Sequence, residues 1–117
     1  MTHQLNNLIN KLKTLPAVAN CYEHYDYVKI DTICSIEFCH EFLTLYAKPD
    51  GNDILISDLN AILEYADYYK IADEDVKIVA EKNGLNFDGV SIFKIIPIEA
   101  LAETIEMFFN VVNALKL

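Results

Sequence analysis

Six residues in the middle of the chain, Lys48-Pro49-Asp50-Gly51-Asn52-Asp53, constrain the fold more than any other stretch. Proline presets φ for the second position of a turn, and Gly51 supplies the positive φ that other residues resist. β-forming runs flank the segment. Phe42 to Lys48 precede it and Ile54-Leu55-Ile56 follow at once. Together they predict a β-hairpin with a short loop. In the first of these strands Phe42, Thr44 and Tyr46 share one face, while Leu43, Leu45 and Ala47 share the other. Both sets are largely apolar, which predicts a central strand covered on both faces.

The rest of the chain is read outward from that hairpin. Leu5, Leu8, Ile9 and Leu12 fall at the spacing of one helical face, predicting a helix over 2–14 capped by Thr2 and ended by Pro16. Residues 18–48 read as strands, with Tyr25, Tyr27, Val28, Ile30, Thr32 and Ile33 as β-formers. After the hairpin, Ser57 or Asp58 can cap a helix over about 58–70, with Leu59, Ile62, Leu63 and Ala66 inward. A third helix spans about 73–83, with Asp73, Glu74 and Asp75 at its positive end. Asn83-Gly84-Leu85 forms its C-cap. Phe87-Asp88-Gly89 turns the chain into a strand from Val90 to Ile96, and Pro97 opens a last helix. The order is helix, strands, helix, helix, strand, helix. This predicts one α+β domain over 1–117, with a short antiparallel sheet packed against helices on one side.

The 117 residues carry a net charge of −9, and all nine basic residues are lysine. The imbalance is uneven. Residues 1–30 hold three lysines against two carboxylates, whereas residues 31–117 hold six against sixteen. A nucleic-acid binder needs cations along the phosphate track and favours arginine's bidentate fork. Direct binding to nucleic acid is therefore not expected. No apolar run reaches the length of a membrane span. The N-terminus lacks a charged region followed by an apolar block, so a cytoplasmic setting with no membrane contact is expected. An odd cysteine count fits free thiols rather than a disulfide framework.

From Ile30 to Leu117 the chain resembles a bacterial and bacteriophage family catalogued as domain of unknown function 1828. The resemblance is carried by Asp31-Thr32-Ile33, the strand Phe42 to Ala47 and the turn Pro49-Asp50-Gly51. It continues through Ile54-Leu55-Ile56-Ser57-Asp58, Asn83-Gly84-Leu85 and the apolar C-terminal helix. It implies a fold preceded by an N-terminal helix, and a phage or prophage setting. It implies no activity.

Cys21-x-x-His24 and Cys34-x4-Cys39-His40 have the residue types of a zinc site. Their strand positions and the odd Cys34–Cys39 spacing do not give four convergent ligands, so no metal and no cofactor is expected. Neighbouring residues on a strand point apart, so His40 is not placed to activate Cys39. The numerous carboxylate pairs read as a solvated acidic face. Tyr65, Tyr68 and Tyr69, beside Glu64 and Asp67, form an acidic, tyrosine-rich patch on the second helix. Tyr22, Tyr25 and Tyr27 form another in the strands. Tyrosine is enriched in binding surfaces because it is large, stiff and amphipathic.

The expectation is a non-enzymatic module that binds a basic protein, such as a nucleic-acid-handling one. Two alternatives stand beside it: a small cysteine–histidine enzyme, and a structural or dimerisation domain. In the last helix Leu101, Ile105, Phe108, Val112 and Leu115 line one stripe. Ile98, Ala102, Met107, Phe109 and Val111 are apolar off that stripe, which predicts a homodimer through 98–117 with Ile98, Ala102 and Phe109 at the interface.

Overall fold

The computed structural model describes residues 3–117. Helix α1 (His3–Leu12) leads into strands β1 (Val18–His24), β2 (Tyr27–Ile36), β3 (Glu41–Asp50) and β4 (Asp53–Ser57). Helices α2 (Ala61–Tyr68) and α3 (Asp73–Lys82) follow, then a two-residue β5 (Asn86–Phe87) and β6 (Ile92–Ile96). A 3-10 turn, Ile98–Ala100, opens helix α4 (Leu101–Ala114). The strands form one antiparallel sheet in the order β1-β2-β3-β4-β6-β5. The α+β class and the element order are as the sequence predicts. Thr2, the proposed cap of the first helix, lies outside the described residues.

The sheet has two unlike faces. Val28, Ile30, Leu43, Leu45, Ala47, Ile54, Ile56, Ile92 and Ile96 point inward and share one core with Leu8, Leu12, Ile62, Val76, Leu101 and Phe108 of the helices. The other face is open. Phe42 and Ile95 are exposed, and Thr44, Tyr46 and Leu55 are half-buried. Strand β3 is therefore central by pairing but covered on one face only. Tyrosine and phenylalanine tolerate a half-wet surface, so their alternation with leucine reads as two buried faces when it is one.

The hairpin between β3 and β4 closes at Asp50↔Asp53, leaving Gly51 and Asn52 as the two turn residues. Pro49 does not preset the turn. It sits in the strand opposite Ile54, past the last pairing of β3 with β2 at Val28↔Ala47, where its missing N–H costs no ladder bond. Gly51 has φ +62°, as the first central position of a type II′ turn requires. A Cβ there would meet nothing within 4 Å, so substitution is opposed by the backbone alone. Gly51→Val should cost about 1–3 kcal/mol. Urea denaturation checks this, and an unchanged midpoint would show that the turn does not depend on glycine.

Strand β2 carries a bulge. Asp31 pairs with Thr44 and Ser35 with Phe42, so three residues of β2 oppose one of β3. The buried Thr32 repairs the ladder: its hydroxyl donates to the Leu43 carbonyl at 2.6 Å and accepts the Cys34 N–H at 3.2 Å. A bulge bends its strand and strengthens the local twist. Here it redirects the end of β2 and the 37–40 loop toward α2.

Three other expectations are corrected. The strand before Pro97 starts at Ile92, because the Asp88 carboxylate accepts the Val90 and Ser91 N–H groups and holds 88–91 as a turn. Leu59 is exposed, not inward, because Leu59 and Asn60 both adopt positive φ, 46° and 78°. In α4, Phe109 and Val111 are already buried within one chain, at 9% and 0% exposure, while Ile98 is half-buried and Ala102 is exposed. Leu117 is buried as well, and its carbonyl accepts the Glu37 N–H at 2.8 Å. The chain's own C-terminal turn and the end of β2 thus share the work of covering Phe109. Of the predicted interface residues, Phe109 is thus covered within one chain, while Ile98 and Ala102 remain at the surface.

Candidate functional site

Tyr65 and Tyr68 of α2 and Tyr69, which caps its C-terminus, stand at i, i+3 and i+4 and emerge on one side of the helix. The helix stops there without glycine. Lys70 adopts φ 59°, the Lys70 N–H bonds the Asp67 carbonyl, and the Ile71 N–H reaches back to Ala66. That left-handed stop holds the last tyrosine at the rim of the domain.

The redirected 37–40 loop brings Phe38 into the middle of the three tyrosines. Its ring stacks on Tyr68 with centroids 4.3 Å apart and planes 11° from parallel. Tyr65 and Tyr69 meet it edge-on at 5.6 and 5.3 Å, and Tyr68 meets Tyr69 edge-on at 5.3 Å. The arrangements are the stacked and T-shaped ones that ring quadrupoles favour. Even so, Tyr68 remains 66% exposed and Tyr69 44%. Phe38 is the residue that sequence reasoning missed.

Carboxylates surround the rings. Glu64 and Asp67 are exposed on the same helix, and Glu37 and Glu41 are exposed at the two ends of the loop. Glu64 also accepts the Asn60 side-chain amide at 3.1 Å. Burial pushes the Tyr65 hydroxyl up from its ordinary value, with Cys39, Glu41 and Glu64 adding to the rise, so it stays a protonated donor at neutral pH. Of the residues singled out from sequence, Tyr65, Tyr68 and Tyr69 meet around Phe38 and Glu64 acts on Tyr65, while Asp67 is exposed on the same helix.

Comparison with protein-family models, curated proteins and solved structures gives no match. The reading of the site therefore rests on its own geometry.

The strand tyrosines differ in one respect. Tyr22 and Tyr27 lie on the open sheet face with Tyr46, and the chain's own lysines cap them. Lys29 Nζ is 5.7 Å from the Tyr22 centroid, and Lys48 Nζ is 5.3 Å from that of Tyr27. Among the described residues, no such cation stands over the Phe38 cluster. Tyr25 is 86% exposed at the β1–β2 turn and meets the His24 ring edge-on at 4.8 Å.

The thiols are dispersed. Cys21 is buried against the Ile9 carbonyl, at 3.8 Å. Cys34 lines a surface depression of about 410 Å3 with Ile33, Glu37, Phe109 and Lys116. Burial, with Glu106, pushes its thiol up, away from the thiolate that attacks substrates. The partners of Cys39 Sγ are the Ile36 carbonyl and the Glu41 carboxylate, at 3.9 and 3.8 Å, while His40 is exposed at φ 56°. Among the described residues, no group of three or more His, Cys, Asp or Glu side chains is arranged to hold a metal ion.

Proposed function

We propose that the protein is a non-enzymatic binding module that takes a basic protein segment on the Phe38–Tyr65–Tyr68–Tyr69 surface. The observation that carries this is a surface cluster of four aromatic rings, with Tyr68 and Tyr69 exposed and carboxylates nearby, over which no cation stands among the described residues. A cation over an aromatic face is attracted by the ring quadrupole, and arginine adds a planar stack and a bidentate fork for a carboxylate. The chain has no arginine. The partner class that fits is a nucleic-acid-handling protein, whose phosphate-binding cations would meet Glu37, Glu41, Glu64 and Asp67 instead.

The chain has no tryptophan, and three of its seven tyrosines lie in the site, so a change in tyrosine fluorescence that Tyr68→Ala removes reports on it. Titration with an arginine-rich peptide should give saturable binding that weakens with salt. An acidic peptide and duplex DNA should give none. Tyr68→Ala should weaken the peptide at least about tenfold, the equivalent of about 1.4 kcal/mol. Equal binding by Tyr68→Ala and wild type would sink the assignment.

A further inference from the structure

Helix α4 ends in a left-handed turn built without glycine. Lys116 has φ 59°, its N–H bonds the Asn113 carbonyl, and the Leu117 N–H reaches back to Val112, each at 3.1 Å. This pair of bonds closes a helix on a left-handed residue and folds the next residue back onto its last turn. Leu117 and Val112 are both 2% exposed. A side chain with a Cβ resists positive φ, so the turn is sensitive to what stands at position 116.

Leu117 in turn holds the loop between β2 and β3. Its carbonyl accepts the Glu37 N–H at 2.8 Å. Among the described residues, this is the one backbone hydrogen bond from residues 37–40 to a segment outside β2 and β3. The Cys39 thiol gives no second tether, because its partners, the Ile36 carbonyl and Glu41, belong to the strands that the loop joins. The residue after Glu37 is Phe38, whose ring stacks on Tyr68 and meets Tyr65 and Tyr69. The loop is thus pinned at one residue by α4 and at the next by α2.

We propose that the end of α4 positions the binding surface. The turn at Lys116 sets Leu117, Leu117 sets Glu37, and Glu37 sets the Phe38 ring among the tyrosines. Without that latch, only ring contacts offset the backbone freedom that the loop gives up. This rests on the reading of the Phe38 cluster as a binding surface, and adds that the surface is regulated from the 115–117 turn, by residues that touch no bound segment.

Two substitutions at one position test the coupling. Lys116→Gly and Lys116→Val both remove the lysine charge, but glycine accepts positive φ and valine resists it. NMR of the free protein reads amide exchange at Glu37 and cross-peaks between the Phe38 and Tyr68 rings. Both should be unchanged in Lys116→Gly. In Lys116→Val the Glu37 amide should exchange faster and the cross-peaks should be lost, while the core stays folded. If Lys116→Val does not fold, Glu37→Pro removes the latch N–H without altering α4. Ile36 before it is already extended, as a residue preceding proline must be. It should lose the same cross-peaks. Cross-peaks that persist in a folded variant without the Glu37 bond overturn the proposal. Their loss in Lys116→Gly does so too, because it would trace the effect to the charge. Titration with the arginine-rich peptide then separates this from the binding assignment. Folded Lys116→Val should bind it more weakly than Lys116→Gly. Equal binding by a variant that has lost its ring contacts would leave the coupling standing and sink the assignment of the surface.

Discussion

Asp58→Ala should cost about 3–5 kcal/mol, a large part of what a domain of this size holds. Asp58 is only 1% exposed, yet its carboxylate is fully engaged. One oxygen accepts the N–H groups of Asn60 and Ile92 at 3.1 and 2.9 Å, and the other accepts that of Ile62 at 2.9 Å. Those three bonds cap α2, hold the left-handed Leu59-Asn60 step and tie the helix to β6. Alanine leaves three backbone donors without their partner at once. Asparagine restores one acceptor but turns an NH2 group toward N–H groups, so Asp58→Asn should fall close to alanine. Chemical denaturation of the three proteins checks this, and a loss under 1 kcal/mol for alanine would mean that water replaces the carboxylate.

The effect has a pH signature. Burial pushes the Asp58 carboxyl above its ordinary 3.8, outweighing the N–H groups that favour the anion. The folded state then holds this proton more tightly than the unfolded state. The associated stability is fully present below 3.8 and is lost as pH rises through the raised value. The advantage of wild type over Asp58→Ala should therefore narrow across that window and stay level above it.

The second large effect is Phe108→Ala, at about 3–5 kcal/mol. Phe108 is 0% exposed and belongs to the α4 stripe with Leu101 and Ile105, both equally buried. These side chains fill the space between α4 and the sheet, where a truncated ring leaves a cavity that the flanking strands cannot close. Phe108→Leu should recover most of the loss, because volume rather than aromatic character is at stake. Thermal melting distinguishes the two, and equal loss in both would mean that ring contacts dominate.

Much of this was legible because it is local. The Gly51 turn, the stripe of α4 and the tyrosine triad each follow from spacing within a few residues. So does the helix stop at Asn83-Gly84-Leu85, where the Leu85 N–H bonds the Ala80 carbonyl. What was hidden depends on contacts between distant segments. Phe38 carries no pattern of its own and joins the site only because a bulge three residues upstream of the loop bends β2. Asp58 looked like a helix cap and does accept the Ile62 N–H, but the cap position itself is Asn60, and the reach of Asp58 to Ile92 spans 34 positions. The left-handed pair Leu59-Asn60 lacks the glycine that normally marks such a step. The burial of Phe109 required knowing where Leu117 ends up.

The strand order also bears on how the chain finds its shape. β1 to β4 form consecutive hairpins, so each can zip onto the one before it with little loop to close. β6 is different: it must return to the free side of β4 after two helices and a turn have intervened. The entropy of closing a long loop falls on that single joint, and contacts so far apart in sequence form slowly. The meander is expected to form first. Docking of β6, latched by Asp58, is then the expected slow step of folding.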